Sequence, residues 1–206
     1  PVGDAPWDQA ALAEPLSCAI HAARLLDARL GDTAVVFGAG TMGLLNLMVL
    51  KKSGLRVAVV DVNEGRLAKA TSLGADVVLK AGPDIRDRVK AAFLGGVDFS
   101  IAAYGSEEVN QDALDVLNNR GKICLFASAH PVTPFAVDPN LMHNRETSAV
   151  GVVSADRRDH AVATDLIATK QIDLSPIVDA TFPLVEAAAA FERATSTPSY
   201  RVMLHP

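Results

Sequence analysis

Apolar and polar positions fall into blocks of two lengths along this chain. Short apolar runs rich in β-branched residues recur at 33–37, 56–60, 76–79, 97–103, 122–127 and 147–153. Runs of this kind, with few polar positions between the apolar ones, suit strands buried on both faces of a parallel sheet. Longer stretches of helical composition separate them. One follows the first strand at 44–52, others cover 64–73, 83–94 and the residues after Ser106, and the last runs over 156–169. Gly54, Gly74 and Gly95-Gly96 close helices, and Arg120-Gly121 is expected to turn the chain into the strand at 122–127. The loop 128–140, with Pro131, Pro134 and Pro139, reads as irregular. Six strands alternating with helices predict a doubly wound α/β fold, a six-stranded parallel sheet in the order 3-2-1-4-5-6.

The two ends break the rhythm. Residues 1–8 read as a linker, Gln9–Ala13 as a helical turn, and Pro15 as the start of a helix to about Ala28. Beyond residue 170, Pro176–Pro183 looks extended, Leu184–Ala194 helical, and Tyr200–Leu204 a terminal strand. The expected division is a linker at 1–14, the six-stranded domain at 15–170, and a tail at 171–206 outside that sheet.

The candidate chemistry sits at Gly38-Ala39-Gly40-Thr41-Met42-Gly43, between the first strand and its helix. Gly38 allows a tight turn, Gly40 lets the backbone approach a pyrophosphate, and Gly43 lets helix and strand pack closely. Free N–H groups and the positive end of the helix dipole then face the phosphates. Asp61 ends the next strand, 18 residues past Gly43, where a carboxylate can accept both hydroxyls of an adenosine ribose and repel a 2′-phosphate. Strand, glycine turn, helix and acid together make a Rossmann fingerprint and favour NAD over NADP. The switch in strand order should bring the loops at Ala103–Ser106 and Ala127–His130 to the same cleft. Tyr104 would either line the nicotinamide pocket or cap the sheet edge. Ser106 reads as a helix cap, since no Ser/His/Asp set surrounds it.

Composition narrows the partners. A formal charge of −5 argues against nucleic acid or an anionic membrane surface as the main partner, and no apolar run approaches a membrane span. Cys18 and Cys124 lie far apart in apolar segments and read as free thiols in a reducing compartment, which points to the cytoplasm. The chain opens at Pro1 with no methionine and reads as a piece of something longer.

Several segments together resemble the zinc-dependent medium-chain alcohol and polyol dehydrogenases, the group of sorbitol and threonine dehydrogenases. They are Ala13-Glu14-Pro15-Leu16-Ser17, the glycine turn with Asp61 and Arg66, His143-Asn144-Arg145-Glu146 before Gly151, Phe182-Pro183-Leu184 with Ala190-Phe191, and Tyr200-Arg201-Val202-Met203-Leu204. The resemblance implies a cofactor-binding domain of an enzyme that moves hydride between an alcohol (polyol, sugar or cyclitol type) and NAD. It places Arg66 near the adenosine, although a solvated helix face is a fair alternative for that residue. It places Ala103, Tyr104, Ala127 and Ser128 near the nicotinamide, and implies a homodimer through Thr147–Val153. In the family a further domain brings most of the zinc ligands, and this chain carries no Gly-His-Glu segment and no cysteine cluster. Glu14 reads either as a helix-start acid or as one zinc ligand in an intact enzyme, so this chain alone is expected to bind cofactor without turnover. A non-catalytic NAD-binding module or redox sensor is the alternative.

Overall fold

The computed structural model describes residues 3–132, 134–196 and 199–206. In chain order come α1 (Trp7–Ala10), α2 (Ala13–Leu26), β1 (Thr33–Phe37), α3 (Thr41–Lys52), β2 (Arg56–Asp61), α4 (Glu64–Ser72) and β3 (Val77–Lys80). They are followed by α5 (Ile85–Ala92), β4 (Val97–Ala102), α6 (Glu107–Asp115), β5 (Leu117–Leu125), α7 (Pro139–Arg145), β6 (Ser148–Gly151) and α8 (Arg157–Ala168). Then β7 (Val178–Pro183), α9 (Ala187–Ser196) and β8 (Arg201–His205) close the chain. It divides into two compact units, residues 19–154 and residues 1–18 with 155–206.

The larger unit carries a six-stranded parallel sheet in the order β3-β2-β1-β4-β5-β6, as the strand–helix alternation predicted. Val35 and Phe37 of β1 stand opposite Ala58 and Val60 of β2. All four join Ile85 and Val89 of α5 with Ala113 and Leu114 of α6 in one buried cluster. On the other face, Val36 receives α3 at Gly43. Helices thus cover both sides of the sheet, which is why its central strands β1, β2 and β4 are near-continuous buried runs instead of alternating. The amino end is pinned by Asp98, whose Oδ2 accepts the Thr33 N–H at 2.8 Å and the Thr33 hydroxyl at 2.7 Å.

Two segments depart from expectation. β5 begins at Leu117, not Lys122, and the expected Arg120-Gly121 turn lies inside it. Leu117 pairs with Val97 and Lys122 with Phe99, so residues 118–121 form an irregularity in the ladder, with Arg120 at φ 65. The turn signal is real, and the strand absorbs it as a bulge. The expected loop to residue 140 ends early, because Asp138 caps α7 by accepting the Asn140 and Leu141 N–H groups and Pro139 takes its first turn.

In the smaller unit β7 and β8 form a separate parallel pair, Ala180 opposite Val202 and Phe182 opposite Leu204, with α9 packed against both. The tail therefore stays outside the six-stranded sheet, as expected. Among the described residues no helix is long and apolar enough to cross a membrane.

Candidate functional site

At the end of β1 the chain turns at Gly38, whose φ of +103 is a value that L side chains rarely adopt. The Gly38 N–H still donates to the Val60 carbonyl at 2.7 Å, so the turn is anchored to β2. A Cβ on Gly43 would lie 1.8 Å from the Gly38 carbonyl oxygen, so only glycine fits there. Gly40 is different. Its backbone is ordinary and extended, φ −73 and ψ −175, and a Cβ added to it would meet no protein atom within 4 Å. Nothing in the packing of the described residues requires glycine at position 40. Thr41 and Met42 follow in the first turn of α3, where N–H groups lack helical acceptors and the dipole favours an anion.

Asp61 is 7% exposed at the carboxyl end of β2. Its Oδ2 accepts the Ala39 N–H at 2.7 Å and its Oδ1 accepts the Asn63 N–H at 2.8 Å. Arg66 follows on α4, whose N-cap Asn63 accepts the Arg66 N–H at 3.1 Å, and places its guanidinium 3.9 Å from Asp61 Oδ2. Sequence reading found the acid but missed its bond into the glycine turn. The available signal was Ala39 itself, a buried residue flanked by two glycines whose N–H needs an acceptor.

The ladder runs one residue beyond β4 and two beyond β5, through Ala103 N–H to the Phe37 carbonyl and Ala127 N–H to the Ala102 carbonyl, both at 2.9 Å. Tyr104 comes next, 64% exposed, and a Cβ on Gly38 would sit 3.5 Å from its Cβ. Ser128 is exposed beside the half-buried Ala127. Ser106 Oγ accepts the Val109 N–H at 3.2 Å and caps α6, as expected. The glycine turn, Asp61, Arg66, Ala103, Tyr104, Ala127 and Ser128 therefore all lie at the carboxyl ends of β1, β2, β4 and β5 or in the turns and helix starts that follow them.

Glu14 belongs to the smaller unit. It is exposed in the first turn of α2, and its carboxylate accepts the Cys18 thiol at 3.6 Å. No group of three metal-capable side chains among the described residues includes it. One carboxylate does not make a zinc site, which needs at least three protein ligands. Burial pushes the Cys124 thiol up to about 12, and burial, then the Glu14 charge and hydrogen bond, raises that of Cys18. Neither thiol is poised as a nucleophile.

The family model described as zinc-binding dehydrogenase matches residues 41–169. A sorbitol dehydrogenase from Rattus norvegicus is 30% identical over 205 residues, covering 96% of this chain and 56% of the relative. This chain thus spans about half the length of the curated relatives it matches. A zinc-binding dehydrogenase from Sinorhizobium meliloti 1021, solved bound to NADP, superposes with a TM-score of 0.83 at 23% identity, covering 98% of this chain and 61% of its own. A structure from E. coli CFT073, described as a short chain alcohol dehydrogenase complexed with NADH, gives a TM-score of 0.85 at 23% identity, with coverage of 98% and 61%. At these identities the structural likeness shows the fold.

Proposed function

The chain belongs to the zinc-binding dehydrogenase family, and we propose on that premise that its glycine turn holds NAD within an enzyme that moves hydride between an alcohol and NAD. Gly40 carries this reading. Two of the three fingerprint glycines are required by the protein itself, whereas the third leaves open the space that a pyrophosphate would take. Gly38, Thr41, Met42 and Gly43 frame that space, Asp61 offers its remaining lone pairs to the adenosine ribose, and Arg66 flanks the adenosine. Ala103, Tyr104, Ala127 and Ser128 flank the nicotinamide. NAD, when bound, supplies the carbon that accepts hydride. The part of this chain is to orient it and keep its charged half on the helix end.

The sorbitol dehydrogenase relative and the Glu14-Pro15 pair support a polyol, sugar or cyclitol as substrate of the intact enzyme. Glu14 is proposed as one zinc ligand there, within a site that this chain does not complete. The linker, cofactor domain and tail are proposed to divide at residues 14 and 170, a functional division distinct from the compact units, whose boundaries fall after residues 18 and 154. A homodimer through Thr147–Val153 is supported by the position of β6 at the sheet edge and by Val153, 87% exposed. Two free thiols support a cytoplasmic location.

Gly40→Ala tests the central point. Calorimetric titration should show NAD affinity falling at least ~10-fold, about 1.4 kcal/mol. The urea midpoint should hold, since the added methyl meets nothing. Full retention of NAD affinity in this variant would overturn the reading.

A further inference from the structure

Gly105 lies in the turn between β4 and α6, and it closes a line of backbone contacts across the cleft. A Cβ on Gly38 would stand 3.5 Å from both the Ala103 carbonyl carbon and Tyr104 Cβ, so the glycine turn already rests on the segment after β4. That segment in turn rests on the one after β5. A Cβ on Gly105 would fall 2.5 Å from the Ser128 carbonyl oxygen, 2.7 Å from its carbonyl carbon and 2.9 Å from the Ala129 nitrogen. All three are main-chain atoms, which cannot swing aside as the end of a long side chain can. No unusual φ accounts for the glycine, so the close approach is its reason for being there. Ala103 and Ala127 are tied into the sheet ladder just before these segments, so a methyl group at 105 would displace the exposed Ser128 and half-buried Ala129 and leave the strands in place.

We propose that Gly105 is a positioning residue that sets the width of the cleft over its nicotinamide half, by letting the β5 segment close against the β4 segment. The inference rests on the NAD reading above. The adenosine half is governed from β2 through Asp61, whose carboxylate accepts the Ala39 and Asn63 N–H groups and faces Arg66. A change at Gly105 therefore separates the two halves of the ligand. ADP-ribose carries the adenosine, the pyrophosphate and the second ribose, and lacks only the nicotinamide. It is the natural control.

The experiment is a titration of the unaltered chain and of Gly105→Ala with NAD and with ADP-ribose. The expected result is a loss of ~10-fold or more for NAD in the variant, with ADP-ribose changed less than about twofold. Gly151→Ala, whose added Cβ meets nothing within 4 Å, should leave both unchanged. Equal losses for both ligands, or no loss for either, overturn the role of Gly105 while leaving the NAD reading intact. Binding of neither ligand to the unaltered chain overturns both. Should Gly105→Ala not fold, amide hydrogen exchange on the unaltered chain decides. Protection of residues 103–106 and 127–130 by NAD beyond that given by ADP-ribose upholds the inference, and equal protection by the two ligands sinks it.

Discussion

Asp61 has work to do on both sides of its carboxylate. Toward the protein it holds the Ala39 N–H in the middle of the glycine turn, and in the proposed complex it reads the adenosine ribose. The two roles come apart under substitution. Asp61→Asn keeps one oxygen for the Ala39 N–H but sets an amide NH2 against the Asn63 N–H and loses the charge, so the urea midpoint should fall less than in Asp61→Ala while NAD binding weakens and NADP gains relative to it. Asp61→Ala leaves a fully buried N–H without an acceptor and should lower stability by ~1–3 kcal/mol in urea denaturation. Equal loss of stability in both variants would contradict this division. The turn at Gly38, the close packing at Gly43 and the place of the acid at the end of β2 were legible in the sequence because they are local and tied to spacing. The Ala39–Asp61 bond was not, since it joins residues 22 positions apart. Gly105 was equally hidden, because a glycine between a strand and a capped helix looks like any turn residue until the segment it touches is in place.

Elements were legible where their signals agreed. β1 and the middle of β2 are continuous apolar runs, the helices after them end near glycines, and the structure follows. β5 and α7 were misjudged where one signal masked another: Arg120-Gly121 signalled a turn that the strand absorbs, and three prolines hid the Asp138-Pro139 helix start. Elements are also joined by polar contacts that periodicity does not reveal. Asp76, just before β3, accepts Lys51 Nζ from the end of α3 and the Val57 N–H of β2, each at 2.7 Å. Burial pushes its carboxyl up, but the Lys51 and Val57 hydrogen bonds and the charges of Lys51 and Arg56 outweigh it and hold it below its ordinary 3.8. A depressed carboxylate stabilises the fold fully above its unfolded value and loses that contribution as pH falls through the folded one. Asp76→Asn should therefore cost about 1 kcal/mol at pH 7, allowing for its partial exposure, and markedly less near pH 3. Urea unfolding of both proteins at the two pH values checks this, and an undiminished difference at low pH would refute it.

For the whole molecule, the family was legible in segments spread from Glu14 to Tyr200, whereas substrate and assembly lay beyond the sequence, since both depend on surfaces that meet something else. The proposed dimer runs along β6, the outer strand of the sheet. Val153→Glu, at a side chain already open to solvent, should leave the fold intact and convert a dimer to a monomer in sedimentation. An unchanged mass would move the interface elsewhere. The most direct test of the account is calorimetric titration of this chain with NAD and with NADP. Saturable binding of NAD at one site per chain is expected, with NADP at least ~10-fold weaker because Asp61 meets its 2′-phosphate. No measurable binding of NAD, or tighter binding of NADP, would contradict it.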